Sequence, residues 1–410
     1  MTIAIIGAGA AGCFAAIRAA RLLPHAEICI YERMQRPLAK VAITGGGRCN
    51  LTNSFEEVRS TEAVYPRGAR LMKRLFRVFD HHDTIRWFEA EGVPLVIQED
   101  QCIFPQSQRA QDIVQTLLRL LRSHRVRLSL GQQLTSIRPA ERGYELEFSG
   151  QLQPVTADVV AVCTGGSPRS GSLSFLQPLG VPTVAPVPSL FSFTLDQHPL
   201  ATLSGIVVPD VTLRLTGTKF RATGTLLITH WGISGPAVLR LSSYAARHLN
   251  ALEYRAELSV NWLGSLTEEE TVAELQRLAE LYPQRQLGSA WPAGLHRRLW
   301  HHLLQYAGKQ PEQKWAALGA KELRRLATRL TNHLLTINGR NPHKEEFVTC
   351  GGVDLSAIHL STLECRTHKG LYFAGEVLDV DAVTGGFNLQ AAWTMGYVVA
   401  ESLYAQTRET

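Results

Sequence analysis

The chain opens on an unbroken apolar run, Thr2-Ile3-Ala4-Ile5-Ile6, the pattern of a strand buried on both faces. A glycine-rich stretch from Gly7 to Gly12 gives way to an alanine-rich segment, Cys13 to Leu23, closed by Pro24, and then to a second apolar run at Glu27–Tyr31. Strand, tight turn, helix and strand in that order make a βαβ opening. Over 67–92 and 107–124 apolar residues recur at helical spacing (Leu71, Leu75, Val78, Phe79; Ile113, Leu117, Leu120, Leu121). Short strands are predicted at Val126–Leu130, Leu134–Ile137 and Tyr144–Phe148, and a fully apolar one at Val159–Cys163 that runs into Thr164-Gly165-Gly166.

The proline-rich stretch from Val181 to Pro188 is the best candidate boundary. Beyond it, residues 189–262 alternate in strand fashion (Phe191, Phe193, Leu195; Val211, Leu213, Leu215), predicting a separate β domain, a small barrel or sandwich. Residues 265–330 turn helical, beginning with the capping-box pattern Thr267-Glu-Glu-Glu270. After Leu334–Ile337 the α/β character returns, with a strand at Gly370–Ala374 and a closing helix from Asn388 to Tyr404. The fold class expected is α/β. A first domain takes 1–186 and 341–410, a β-barrel-like domain takes 187–264 and 331–340, and a helical insert takes 265–330.

Composition narrows this further. With 410 residues, 45% hydrophobic and 19% charged, the chain can bury a large core over several domains, which excludes a disordered tail or a bare coiled coil. Its seven cysteines are odd in number, scattered and without a C-x-x-C pair, so neither a zinc ribbon nor a thioredoxin-type pair is expected, and no metal site. That usage fits a reducing cytosol. The apolar start has no Lys or Arg ahead of it and is broken by Gly7, Gly9 and Gly12, unlike a signal peptide. No window offers the ~18 apolar residues of a membrane span. A cytoplasmic protein is expected.

The net charge of +6 is concentrated: residues 296–329 carry eight Lys/Arg against two Glu, and 59–86 carry seven against three acids. Such segments mark a surface for RNA or an acidic ligand, or are solvated arginine-rich helix faces.

Gly7-Ala8-Gly9-Ala10-Ala11-Gly12 is G-x-G-x-x-G between a strand and a helix. The first glycine permits the turn, the second lets backbone approach a pyrophosphate, and the third lets the helix pack on the sheet. Glu32 lies twenty residues past Gly12, where a carboxylate binds ribose hydroxyls and disfavours a 2′-phosphate, which excludes NADP as the resident nucleotide. A second glycine loop, Thr44-Gly45-Gly46-Gly47-Arg48-Cys49-Asn50, follows, and Lys40 and Arg48 suit phosphate or the electron-rich end of a reduced flavin. Gly375-Glu376 after the late strand can meet a ribityl chain, and Gly385-Gly386-Phe387-Asn388-Leu389 opens the last helix. Glycine-rich strand ends spread this widely suit one long cofactor, FAD, better than NAD.

Together with KVAITGGGRCNLTN (40–53), FPQSQRAQDIV (104–114), CTGGSPRSGS (163–172), THWGISGPAVL (229–239), FVTCGGVDL (347–355) and GLYFAGEVLDVDAVTGGFNLQAAWTMG (370–396), these motifs resemble the BaiN/YhiN-type NAD(P)/FAD-dependent oxidoreductases over nearly the whole chain. The resemblance implies a glutathione-reductase-type Rossmann-like FAD domain, interrupted by a β-barrel domain that carries a helical insert. It implies FAD contacts at Glu32, Lys40, Gly46, Gly47, Arg48, Cys49, Asn50, Thr164, Gly165, Gly375, Glu376, Gly386, Phe387, Asn388 and Leu389. Arg33 and Leu134 join Gly7, Gly9, Ala10, Ala11 and Gly12 in the cofactor-binding set. For some members it implies reduction of carbon–carbon double bonds in steroid-like enones.

The expected function is therefore an FAD-dependent oxidoreductase, driven by NADH or NADPH as a transient donor, that reduces a small organic acceptor. The alternative is an RNA-binding or RNA-modifying flavoprotein docking through 296–329. His230, in a glycine-bounded loop, is the candidate proton donor, or else a structural histidine. Cys49 is a candidate redox thiol with no second cysteine near it, and Asp379 and Asp381 are proton-transfer groups or caps of the turn before Gly385.

Overall fold

The computed structural model describes residues 1–167, 171–195, 198–341 and 348–409. It divides into two compact units, Met1–Pro188 with Glu346–Thr410, and Ser189–Glu345.

The first unit is built on five parallel strands: β1 (Thr2–Ile6), β2 (Glu27–Glu32), β3 (Arg127–Leu130), β4 (Val159–Val162) and β5 (Leu371–Phe373), in the order β5-β4-β1-β2-β3. Ile3 of central β1 lies opposite Val159 on one side and Ile28 on the other. β4 and β5 are wholly buried, and β1 nearly so, which is why each reads as an unbroken apolar run. Its principal helices are α1 (Ala10–Leu22), α2 (Ala69–Leu75), α3 (His81–Ala90), α4 (Ala110–Ser123) and α5 (Phe387–Glu409).

Two local features add to the periodicity reading. The helical pattern over 67–92 is two helices, because Asp80 starts a new one: its carboxylate accepts from Asp83 N at 3.0 Å, and Asp83 accepts from Asp80 N at 3.0 Å. The proline-rich stretch holds a strand, Thr183–Ser189, paired with Val348–Val353 in a two-stranded ribbon. Such a ribbon leaves each strand one open edge, where proline is tolerated.

In the second unit seven strands join antiparallel in the order His333–Ile337, Ala256–Asn261, Val207–Leu215, Arg221–Thr229, Gly232–Ser234, Phe193–Thr194, Gly339–Arg340. The first and last of these are separated in the chain only by Asn338, so the sheet has to curl until its edges approach, as in a barrel. Between Asn261 and His333 run the helices Glu268–Leu281, Arg297–Tyr306 and Ala320–Thr331, the first opened by the Thr267–Glu270 capping box. Trp300 and Trp315 stack in their core with ring centroids 6.4 Å apart, and both are fully buried. Among the described residues no helix is long and apolar enough to cross a membrane.

His333 is buried in this unit. Its Nδ1 accepts from Trp262 Nε1 at 3.0 Å, and the Tyr306 ring lies 3.9 Å away. Burial, then the neighbouring His198 and His302, push its pKa from the ordinary 6.5 down to about 3. Between those values the unfolded chain binds the extra proton, so the stability contributed here is complete above pH 6.5 and is lost as pH falls toward 3. Unfolding free energies should therefore drop on acidification by up to about 1.4 kcal/mol per pH unit from this group. His333→Gln should remove that component of the slope in denaturant titrations. An identical pH slope in the variant would contradict the assignment.

Candidate functional site

Because β1, β2, β4 and β5 are parallel, their carboxyl ends open on one edge of the sheet, the edge where open α/β sheets bind ligands. Gly7 ends β1 at φ +109°, and a Cβ there would lie 2.4 Å from Cys163 O. At Gly12 a Cβ would lie 2.0 Å from Gly7 O, so only glycine lets α1 start this close to the strand. Gly9 faces open space and no side chain caps the first turn of α1, which leaves its N–H groups aimed at whatever lies there. Glu32, at the end of β2, is oriented by two backbone donors: Ala8 N to Oε2 and Met34 N to Oε1, both at 2.8 Å.

Two clefts of about 240 and 170 Å³ occupy this edge and share Gly7, Glu32, Arg33, Thr164, Gly165, Gly166 and Glu376 in their walls. The larger also takes Gly9, Ala10, Ala11, Lys40, Gly375, Asn388 and Leu389, and the smaller takes Leu134. Glu376 accepts from Thr349 N at 2.7 Å and pairs with Lys40 Nζ at 3.1 Å. Asn388 bonds both the N–H and the carbonyl of Ala382 at 2.9 Å, fixing the turn that opens α5.

The remaining predicted residues lie outside the two cleft walls. Gly46 and Gly47 are exposed, at φ +69° and +84°, with nothing near the missing Cβ. Arg48 lies over the Phe104 ring at 4.5 Å. Asn50, with its amide oxygen toward Gly386 N (3.2 Å), joins this loop to the turn before α5. Gly386 packs so tightly that a Cβ would meet Thr52 O at 2.3 Å, and the Phe387 carbonyl accepts from Tyr65 Oη at 2.8 Å. His230 belongs to the second unit, exposed in the turn between Thr229 and Gly232, with Trp231 its ring neighbour at 6.5 Å.

Several wall residues escaped the sequence reading. Ala391, Ala392 and Met395 continue the face of α5 begun by Asn388, and their i, i+3, i+4, i+7 spacing was the available signal. Arg36 and Val348 carry no such pattern. Asp381 is fully buried and held by Arg67, while Asp379 accepts from Gly351 N at 2.9 Å, so both carboxylates serve as local anchors.

The open Cα faces of Gly9 and Gly165, the Glu32 carboxylate and the cleft they line fit an extended dinucleotide such as FAD. Comparison with known proteins agrees. The family described as HI0933-like protein Rossmann domain matches residues 1–402. The chain belongs to this family. An HI0933-like relative, the ribosomal RNA dihydrouridine synthase of Escherichia coli (strain K12), is 30% identical, covering 98% of this chain and 97% of that one. The 3-dehydro-bile acid delta(4,6)-reductase of Clostridium scindens is 28% identical over 98% of both chains. Among solved structures, the 3-ketosteroid-delta4-(5alpha)-dehydrogenase of Rhodococcus jostii RHA1 shares the fold with a TM-score of 0.50 and 15% identity, covering 98% of this chain and 96% of that one. This HI0933-like chain is thus a flavin-dependent oxidoreductase on a Rossmann-like FAD-binding domain.

All seven cysteines are buried, and none is joined to another in a disulfide. Burial pushes the Cys49 thiol up to about 12, and Cys163 likewise, so neither is a thiolate at neutral pH. Because all seven thiols are buried, a disulfide-exchange reagent at pH 8 should release almost no colour from the folded protein, and the full seven equivalents after denaturation. Rapid labelling of Cys49 in the folded state would contradict this.

Proposed function

We propose that the protein uses NADH or NADPH to reduce a carbon–carbon double bond conjugated to a carbonyl. Bound FAD supplies the hydride in such chemistry. The observation that carries the reading is the state of the thiols: seven are buried, none is paired with another, and Cys49 beside the glycine loop is held protonated. A relay through a cysteine pair is closed, and the site suits acceptors that need none, activated double bonds among them.

The names of two relatives support that choice. Making dihydrouridine adds two hydrogens across the ring double bond of uracil, and a delta(4,6)-reductase saturates double bonds of a 3-keto steroid skeleton. Both bonds are conjugated to a carbonyl. In this reading Glu32 takes the adenosine ribose, Gly9 and the first turn of α1 take the pyrophosphate, and Glu376, steadied by Lys40 and Thr349, takes the ribityl chain. The 46–50 loop and the turn at 386–389 flank the redox ring. His230, exposed on its turn, is assigned the proton that completes the reduction.

A second reading puts the double bond in a uridine of RNA. It is favoured by Arg70, Lys73, Arg74 and Arg77, exposed cations that make no ion pair among the described residues. The other basic segment is partly engaged: Lys309 pairs with Glu322, Arg298 donates to Thr202 O, and Arg329 lies over Tyr306.

Anaerobic titration of the flavin-loaded protein with NADH and NADPH, followed by a cyclic enone or a uridine-containing RNA, tests the proposal. One nucleotide should bleach the flavin bands, and one acceptor should restore them while gaining two hydrogens by mass spectrometry. His230→Gln should slow that turnover about 100-fold, within the usual range for losing a general acid. A flavin that neither nucleotide reduces, or reduced flavin that no conjugated double bond reoxidises, would refute the reading; unchanged turnover in His230→Gln would remove His230 from it.

A further inference from the structure

Helix α2 and the turn after it carry Arg70, Lys73, Arg74 and Arg77 at i, i+3, i+4 and i+7, the spacing of one helix face. All four are exposed, while Leu71, Met72 and Leu75 on the opposite face are buried. Near them lies Glu62, whose carboxyl is held below the ordinary range mainly by backbone and Ser60 hydrogen bonds, with Lys73 and Arg70 adding to the effect. The four cations border a shallow groove whose floor includes Val78, half exposed, and Leu360. A row of cations beside a groove suits a backbone of charged phosphates.

What sets this face apart is its anchorage. Gly68, at the start of α2, sits so close to Val380 that a Cβ would lie 2.5 Å from Val380 Cγ2, and Val380 lines the larger cleft. Arg67 holds the buried Asp381, Val383 N donates to Val64 O at 2.9 Å, and Tyr65 Oη donates to Phe387 O at 2.8 Å. Residues 64–68 are thus bonded to the segment 380–387 that leads into α5, and the cationic face begins two residues later. From Arg70 to Arg77 it extends about 10 Å along the helix direction.

We infer that the α2 face is a docking surface for the phosphate backbone of single-stranded RNA, which it delivers to the flavin end of the cleft. This rests on the RNA reading of the double-bond reductase. The partner is a polyanion because four cations with no ion pair among the described residues gain by releasing its counterions, and an RNA because the reading it rests on places the double bond in a uridine of RNA.

The test is fluorescence anisotropy of labelled oligouridylate with the FAD-loaded full chain, across a salt series. Wild type should show a log–log salt slope near −3, about 0.7 for each of four phosphates. Reversal of all four cations (Arg70→Glu, Lys73→Glu, Arg74→Glu, Arg77→Glu) should weaken binding at least ~100-fold and flatten the slope. Its flavin spectrum and its reduction of a free enone should stay at wild-type level. Lys73→Gln with Arg77→Gln, a milder pair, should lower the slope by about half as much. Reversal of Lys321, Arg324 and Arg325 should leave RNA binding unchanged. Unchanged RNA affinity in both α2 variants overturns the inference, as does RNA binding no tighter than that of a polyglutamate of equal charge. RNA binding that follows these rules, in a protein that reduces no conjugated double bond, would instead sustain the docking surface and refute the proposed reaction.

Discussion

Gly396 has no room for a side chain: a Cβ there would lie 2.6 Å from Ala11 O and 3.2 Å from Ala15 N. α5 can approach α1 this closely only because Gly396 meets an alanine-rich face, and the cofactor end of the first unit depends on that contact. It brings the last helix of the chain onto the first. The packing continues through Trp393, fully buried with Phe14 at 5.6 Å and Phe88 at 5.3 Å and donating to Leu51 O at 3.0 Å. It ends at the Arg18–Glu401 pair, 2.6 Å apart. With α5 held here, Gly375-Glu376 and the turn at 386–389 come to the strand edge where Gly7–Gly12 already lies.

That closure explains what was legible in the sequence and what was not. β1, α1 and β2 announce themselves through local pattern, since a doubly buried strand and a glycine turn leave marks within a few residues. Glu32 could be placed by counting, because its distance from the glycines is a property of one βαβ unit. The grouping of cleft residues from both chain ends followed from their glycine-rich context. The bonds that fix them did not: Lys40 and Glu376 are 336 residues apart, and Arg67 and Asp381 are 314 apart, so no local pattern joins them. The break at Asp80 was missed because the apolar spacing runs on through it, although an Asp three residues before another acid is itself a capping signal.

Charge is used in two ways in the first unit. Near the cleft it is anchored: Glu32 by two backbone amides, Glu376 by Lys40 and Thr349, Asp381 by Arg67. Anchored carboxylates present fixed acceptors to a ligand's hydroxyls without reorganising on binding. On the α2 face the cations are open to solvent and form no ion pair among the described residues, the arrangement that keeps a long-range attraction for anions. Cys49 and Cys163 take no part in either, since burial keeps them protonated.

The central claim is that one extended cofactor lies along the strand edge, with its adenosine end at Glu32 and its flavin end at the turns joined by Asn50 and Gly386. Titrating the flavin-free protein with FAD and with FMN, read by quenching of flavin fluorescence, tests it most directly. FAD should bind at least ~100-fold more tightly, since FMN lacks the nucleotide half that Gly9 and Glu32 hold. Equal affinity for the two would mean that this half of the site does not hold the cofactor, and would contradict the account.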